Sequence, residues 1–164
     1  MVEGMDTGEA FYLGEYEYAV DNQRRVAIPS RWRAKPADRN HFFALPGREK
    51  SIQLVPAPVF EQLLLKLRKV SFADGKAARA MAKIGSMASE CRCDKQGRIR
   101  LTGKLLNHAG ITDKALLLGA VSSIQIWSPE AWARGDLDSE STLDVVQEIQ
   151  ERSDDLSEIF NKRT

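Results

Sequence analysis

Two arginines close two look-alike polar links in this chain. Arg25 ends Asp21-Asn22-Gln23-Arg24-Arg25, and Arg98 ends Asp94-Lys95-Gln96-Gly97-Arg98. Arginine carries a rigid planar fork of donors. It can grip O6 and N7 of a guanine in the DNA major groove, or a pair of phosphate oxygens. An aspartate at the start of such a link can accept hydrogen bonds from the link amides, or from the arginine, and so hold the turn. A single Asp-x-x-x-Arg is a common frame and reads as a salt bridge that clips a hairpin. Two copies at matching places raise a base-reading role to equal standing with the clip. Other basic residues flank the links: Arg24, Arg31 and Arg33 by the first, and Arg92, Lys95, Arg100 and Lys104 by the second. They read as candidate phosphate contacts, which set affinity and register more than sequence choice.

The elements that carry these links are legible from alternation. Glu15 to Val20 precedes the first link and Val26-Ala27-Ile28-Pro29 follows it. Glu90-Cys91-Arg92-Cys93 and Ile99-Arg100-Leu101-Thr102 frame the second. Apolar alternation on both sides of a short polar link is a hairpin signal. The repeat runs on beyond the links. At an offset of 73 Leu45 falls on Leu118, and at 72 Ser51-Ile52-Gln53 falls on Ser123-Ile124-Gln125 and Phe60 on Trp132. The chain therefore reads as two copies of strand, loop, strand, helix, strand, turn, strand, helix. Two copies are too few for a solenoid and suit a pseudo-two-fold body.

Local signals place the helices. Ser30 is positioned to cap a short helix that Pro36 stops. Val59, Phe60, Leu63, Leu64, Leu67 and Val70 recur at helical spacing, which predicts an amphipathic helix over 57–70. Asp74-Gly75 breaks it, and Ala77, Met81 and Ile84 carry a second helix to about Met87. Thr102 caps a helix that Gly110 ends, and Ser128-Pro129-Glu130 starts another. The expected division is a flexible extension over 1–10, one half over 11–72, a connecting helix over 73–87, a second half over 88–134, and an acidic helix or tail over 135–164.

Charge is unevenly spread. Of 24 basic and 23 acidic side chains, three and nine fall in residues 135–164, so the rest of the chain holds 21 and 14, a net of +7. A basic body points to a polyanion partner. Cys91 and Cys93 sit two apart on one strand, too taut for an ordinary disulfide, and read as small apolar strand residues in a reducing, cytoplasmic setting. With only His41 and His108 as further ligands, no metal is expected. The chain shows no secretory signal, no span-length apolar run, no phosphate loop and no nucleophile elbow. An enzyme, a cofactor, a small-molecule substrate and a membrane partner are all unexpected.

The residues also carry a resemblance. Phe11-Tyr12-Leu13-Gly14, Asp21 to Pro29, Ala88-Ser89-Glu90-Cys91 before Asp94 to Arg98, His108-Ala109-Gly110-Ile111, and Ile126 to Trp132 together resemble the MraZ family. That family is one of bacterial regulators of the division and cell-wall gene cluster, within the wider AbrB-like swapped-hairpin group. The resemblance covers about residues 11–134. It implies an α+β fold of two tandem AbrB-like halves forming a pseudo-two-fold, β-barrel-like core with flanking helices. It implies a homo-oligomeric ring, associated with the nucleoid, that binds G-rich direct repeats in duplex DNA of its own promoter. The motif residues carry over to Asp21, Arg25, Asp94 and Arg98, with Arg24 and Lys95 beside them. One departure is plain. The family often has glycine before the motif arginine; the second link keeps it as Gly97, whereas the first has Arg24. If that corner needs a positive φ, Arg24 is strained and the two loops are unequal readers. The rival expectation is an antitoxin-like interaction module that works through the acidic segment 136–158. A third expectation has that tail imitate DNA and shield a neighbour's basic face.

Overall fold

The structure, a computed structural model, describes residues 11–35, 40–71, 73–135 and 142–161. The expected extension over 1–10, the Pro36 helix stop and the start of the acidic tail lie outside the described residues. The chain divides into two compact units, one ending at Ala133 and one starting at Arg134.

In the first unit the first copy supplies β1 (Glu15–Ala19), β2 (Arg25–Ala27), a 3-10 turn (Ser30–Trp32), β3 (His41–Pro46), β4 (Ile52–Pro56) and α1 (Ala57–Leu67). After α2 (Gly75–Met87) the second copy supplies β5 (Ser89–Arg92), β6 (Arg98–Arg100), α3 (Gly103–Ala109), β7 (Lys114–Gly119), β8 (Ile124–Trp127) and α4 (Pro129–Arg134). Six strands form one antiparallel sheet in the order β1-β7-β8-β4-β3-β5, and β2 and β6 form a separate two-stranded ribbon. Exchanging the copies reverses this order onto itself. Each copy's first strand therefore lies against the other copy's third: Tyr16 faces Leu117, and Cys91 faces Phe42. The two-fold relation passes through two cross-copy pairs, Gln53 with Gln125 in the sheet and Val26 with Ile99 in the ribbon.

The barrel-like core implied by the resemblance is not what the chain builds. β1 and β5 are opposite edges of an open six-stranded sheet. Closing it would need those edges to pair. The strands that follow them, β2 and β6, are only three residues long and bond to each other instead. The architecture is two sheets with flanking helices.

The core lies where the copies meet. Ile52, Leu54, Ile124 and Ile126 are all fully buried along the β4–β8 seam, and Leu101, Leu105, Leu117 and Ala115 join them. The caps act locally. Thr102 Oγ1 accepts from Leu105 N–H at 3.2 Å, Gly110 takes φ 64° at the end of α3, and Ser128 Oγ accepts from Ala131 N–H at 3.0 Å. Asp74 caps α2 through Ala77 N–H at 3.1 Å, whereas α1 already ends at Leu67, short of the expected 70 and well before Asp74. Ser30 does not cap: the residue at the cap position is Pro29, which offers no side-chain acceptor, and the turn stays 3-10. In the second unit α5 (Thr142–Asn161) is a 20-residue helix.

Candidate nucleic-acid interface

Both links fold as the same tight turn with three residues between Asp and Arg, but the strands on either side go to different sheets and do not pair as the expected hairpin. In the first, Asp21 Oδ1 accepts from the amides of Gln23 (2.9 Å) and Arg25 (2.8 Å), and Oδ2 accepts from Arg25 Nε at 2.7 Å. In the second, Asp94 Oδ1 accepts from Gln96 and Arg98 (both 2.9 Å), and Oδ2 from Arg98 Nε at 3.0 Å. The backbone repeats too. Arg24 N–H donates to Asp21 C=O and Gly97 N–H to Asp94 C=O, each at 3.0 Å. The clip reading is thus correct for the backbone. It also fixes each guanidinium, because Asp engages Nε rather than the two terminal nitrogens. The side chains of Arg25 and Arg98 remain 27% and 28% exposed.

These bonds hold both carboxyls below the ordinary value of 3.8. Each is led by the amide bond from its own arginine and aided by that arginine's side chain, against a smaller opposing effect of desolvation. A carboxyl with a lowered folded pKa adds stability above its unfolded pKa and loses it as pH falls through the folded one. The amides of Gln23, Arg25, Gln96 and Arg98 should therefore shift together in an NMR titration, below pH 3.8. Movement of all four already at pH 5 would show that the carboxylates do not hold the loops.

The corner residue is left-handed in both loops: φ is 61° at Arg24 and 76° at Gly97. Glycine adopts this freely, whereas a side chain pays about 1 kcal/mol. Arg24→Gly should therefore leave thermal stability unchanged or raise it by up to about 1 kcal/mol. A clear drop in unfolding midpoint would mean that the Arg24 side chain does more for the fold than its backbone costs.

The ribbon brings the loops together. Arg25 pairs across from Arg100, Val26 from Ile99, and Ala27 from Arg98. Strand alternation sends Val26 (1% exposed) and Ile99 (0%) inward. The opposite face carries Arg25, Arg98 and Arg100. Like charges directly opposite are unfavourable, and two contacts offset them here: Asp21 on Arg25, and Gln23 Oε1 accepting from Arg100 Nη2 at 3.4 Å. Arg98 Nη1 also comes within 3.9 Å of Asp21 Oδ2 in the other loop.

The other expected residues are scattered. Arg33 lies over Gly97, where an added Cβ would collide with its guanidinium, and the Arg24 guanidinium approaches Gly103 at the start of α3. Arg92 is taken by Glu90, 3.1 Å away. Arg31, Lys95 and Lys104 are exposed, and no described contact ties them to the ribbon. Sequence reading passed over Gln23 and Gln96. The signal was available: besides Asp and Arg, glutamine is the one residue that the two links share at the same place. Among the described residues no group of three or more His, Cys, Asp or Glu could hold a metal, and no helix is long and apolar enough to cross a membrane.

An open sheet made by strand exchange between two copies, with a ribbon that carries two Asp-clipped arginine loops, defines a duplicated swapped-strand hairpin protein. The chain belongs to the MraZ family. The family model described as "MraZ protein, putative antitoxin-like" matches residues 11–83 and 85–151. Relatives named "Transcriptional regulator MraZ" are similar over most of their length. The one from Alkaliphilus metalliredigens (strain QYMF) is 30% identical over 135 residues, covering 82% of this chain and 93% of the relative. That from Herpetosiphon aurantiacus is 36% identical over 121 residues, 74% and 83%. That from Symbiobacterium thermophilum is 33% identical over 141 residues, 85% and 98%. The family is one of transcriptional regulators, not enzymes.

Proposed function

We propose that this chain is a DNA-binding transcriptional regulator that reads G-rich direct repeats in the promoter of its own division and cell-wall cluster. Asp21, Arg25, Asp94 and Arg98 are the core of the reading surface, with Arg24 and Lys95 beside them. Arg31, Arg33, Arg92, Arg100 and Lys104 supply phosphate contacts, Arg92 after leaving Glu90. One observation carries the reading: Arg25, Arg98 and Arg100 share the outward face of a two-stranded ribbon, with Arg25 directly opposite Arg100. A ribbon of that width fits the major groove. A polyanion would also relieve the repulsion that the ribbon holds. The halves 11–72 and 88–134, linked by 73–87, act as one reading body, and 135–164 stands outside it.

The test is footprinting on DNA upstream of the gene, repeated across a salt series. Specific protection should weaken steeply as salt rises, in proportion to the phosphates contacted. If there is no protection at any salt, while a protein partner is held through residues 136–158, the interaction-module reading replaces this one.

We also propose that several copies form a ring associated with the nucleoid, so that many loops meet many repeats and gain by effective concentration. Val59 and Leu63 of α1, four residues apart on one side of the helix and both exposed, offer an apolar face for self-association. Sedimentation should show an oligomer at micromolar concentration, and a monomer there would remove the ring.

A further inference from the structure

Of the two edge strands, only β1 is led by an exposed apolar row. Burial alternates there: Tyr12 is inside, Phe11 and Leu13 are 52% and 65% exposed, and Glu15 follows on the same side. The register keeps this row straight, because Tyr12 pairs with Val121 and Glu15 with Leu118, with no residue inserted between. The Trp32 indole N–H fixes it further, donating to Leu13 C=O at 2.9 Å. Val121 stands across from Tyr12 at the β7–β8 turn. It is exposed, with φ 66°, a conformation that costs a β-branched residue. The first copy repeats this turn, with Glu49 at φ 55° in the same place, but there the exposed residues are Arg48-Glu49-Lys50. At the 73-residue offset Phe11, Leu13 and Glu15 fall on Ile84, Ser86 and Ala88, and the two apolar ones are half-buried. The apolar tip therefore occurs once.

α1 offers a matching surface, and it too occurs once. Val59, Leu63 and Lys66, at i, i+4 and i+7, lie along one flank of the helix, and all three are exposed. At the 72-residue offset their counterparts are Ala131, Gly135 and Asp138, with no large apolar side chain and the opposite charge. The two rows agree in order: apolar, apolar, acidic on the strand, and apolar, apolar, basic on the helix. They agree in length, about 13 Å from Phe11 to Glu15 and about 10 Å from Val59 to Lys66. Among the described residues no ion pair takes Glu15 or Lys66, whereas Glu17 is held by Lys114 at 3.7 Å.

We infer that the Phe11–Leu13–Glu15 row of one chain, with Val121 beside it, lies along the Val59–Leu63–Lys66 flank of a second copy. This rests on the ring proposed above and names the surfaces that close it. Contact between two different surfaces of one chain is head-to-tail, and it either closes into a ring or runs on as a filament. A chain with one tip and one flank takes two neighbours. Had both copies kept both surfaces, each chain would take four, and the assembly would branch. The divergence of the copies at these places prevents that. The apolar pairs form the centre of the contact, and Glu15 on Lys66 at its end sets the direction. Neither row uses a residue of the ribbon or its loops, so the arginine face stays open.

Sedimentation of the full-length chain at micromolar concentration tests it, with Leu13→Asp spoiling the tip and Leu63→Asp spoiling the flank. Both side chains are exposed in the single chain, so the fold is kept. Each variant alone should be a monomer, its self-association weakened by about a hundredfold, because the contact would bury a carboxylate among apolar groups. An equimolar mixture should stop at the dimer: one intact tip meets one intact flank, and the two spoiled surfaces are left over. In a second arm, Glu15→Lys should loosen the assembly by about tenfold, and Lys66→Glu in the same chain should restore it. The parent's size in either Asp variant, a mixture of any other size, or failure of the charge rescue overturns the inference and leaves the ring standing. A parent chain that is itself monomeric removes the ring, and this contact with it.

Discussion

A chain carrying both Arg25→Ala and Arg98→Ala should fold, assemble, and no longer choose its promoter over random duplex. Each arginine that grips a guanine edge is worth about 1–3 kcal/mol of discrimination, so losing both should cost about 2–6 kcal/mol of specific binding. The fold should survive because the ribbon is held from its other face, by buried Val26 and Ile99. The loop turns should persist too, since Asp21 Oδ1 and Asp94 Oδ1 bond backbone amides that alanine retains. What is lost structurally is one partly exposed ion pair in each loop and the longer Arg98–Asp21 pair between them, each of the kind worth roughly 0–1 kcal/mol. Competition between the promoter fragment and random duplex measures the outcome. If the doubly substituted chain keeps the parent's preference, the arginines do not read bases, and a lowered melting temperature beside it would leave them as clips and nothing more.

Leu54→Ala should have the largest effect on stability, about 2–5 kcal/mol. Leu54 is fully buried and pairs with Ile124 where β4 of one copy meets β8 of the other. Both of its neighbours in that seam, Ile52 and Ile126, are also fully buried, so the site has no exposed edge from which to relax. The seam joins the two halves of the sheet, and a cavity there should lower the unfolding midpoint of both together. Denaturant unfolding followed by Trp32 in the first copy and Trp127 in the second would show it. A loss below 0.5 kcal/mol, or two separated transitions, would mean that the halves are not joined through this pair; the figure of 0.5 is the low end of the usual range, about 0.5–3 kcal/mol, for single substitutions.

Much of this molecule was readable from its residues. The Asp-x-x-x-Arg links, the flanking alternation and the offset of 72 to 73 depend on local chemistry: hydrogen-bond reach over four residues and side-chain period along a strand. So do the caps at Thr102 and Ser128, which need only their own helix turn. Ser30 failed as a cap because Pro29 takes the cap position, a choice of a single dihedral that pattern alone does not make. The requirement for a positive φ before each motif arginine was also a local matter, and Arg24 meets it at 61°.

The arrangement of the copies lay beyond that reach. No local signal says that β1 lies on β7 and β5 on β3, or that β2 and β6 leave the sheet to pair with each other. Such pairings are long-range, chosen by which apolar faces can be buried together, and they decided against a barrel in favour of an open sheet and a ribbon. Gln23 was in plain view in the sequence, but its bond to Arg100 depends on that ribbon register. Arg33 is the clearest case. From its residue type alone it is one more surface cation. Its place against Gly97, 64 positions along, exists because tertiary packing of Trp32 and Asn40 brings it there and the glycine leaves the room. Residue order determined the two turns and the strands that bear them. Only the packing of one copy against the other decided which guanidinium groups share a face, because side chains far apart in the chain meet only once the apolar surfaces between them are buried.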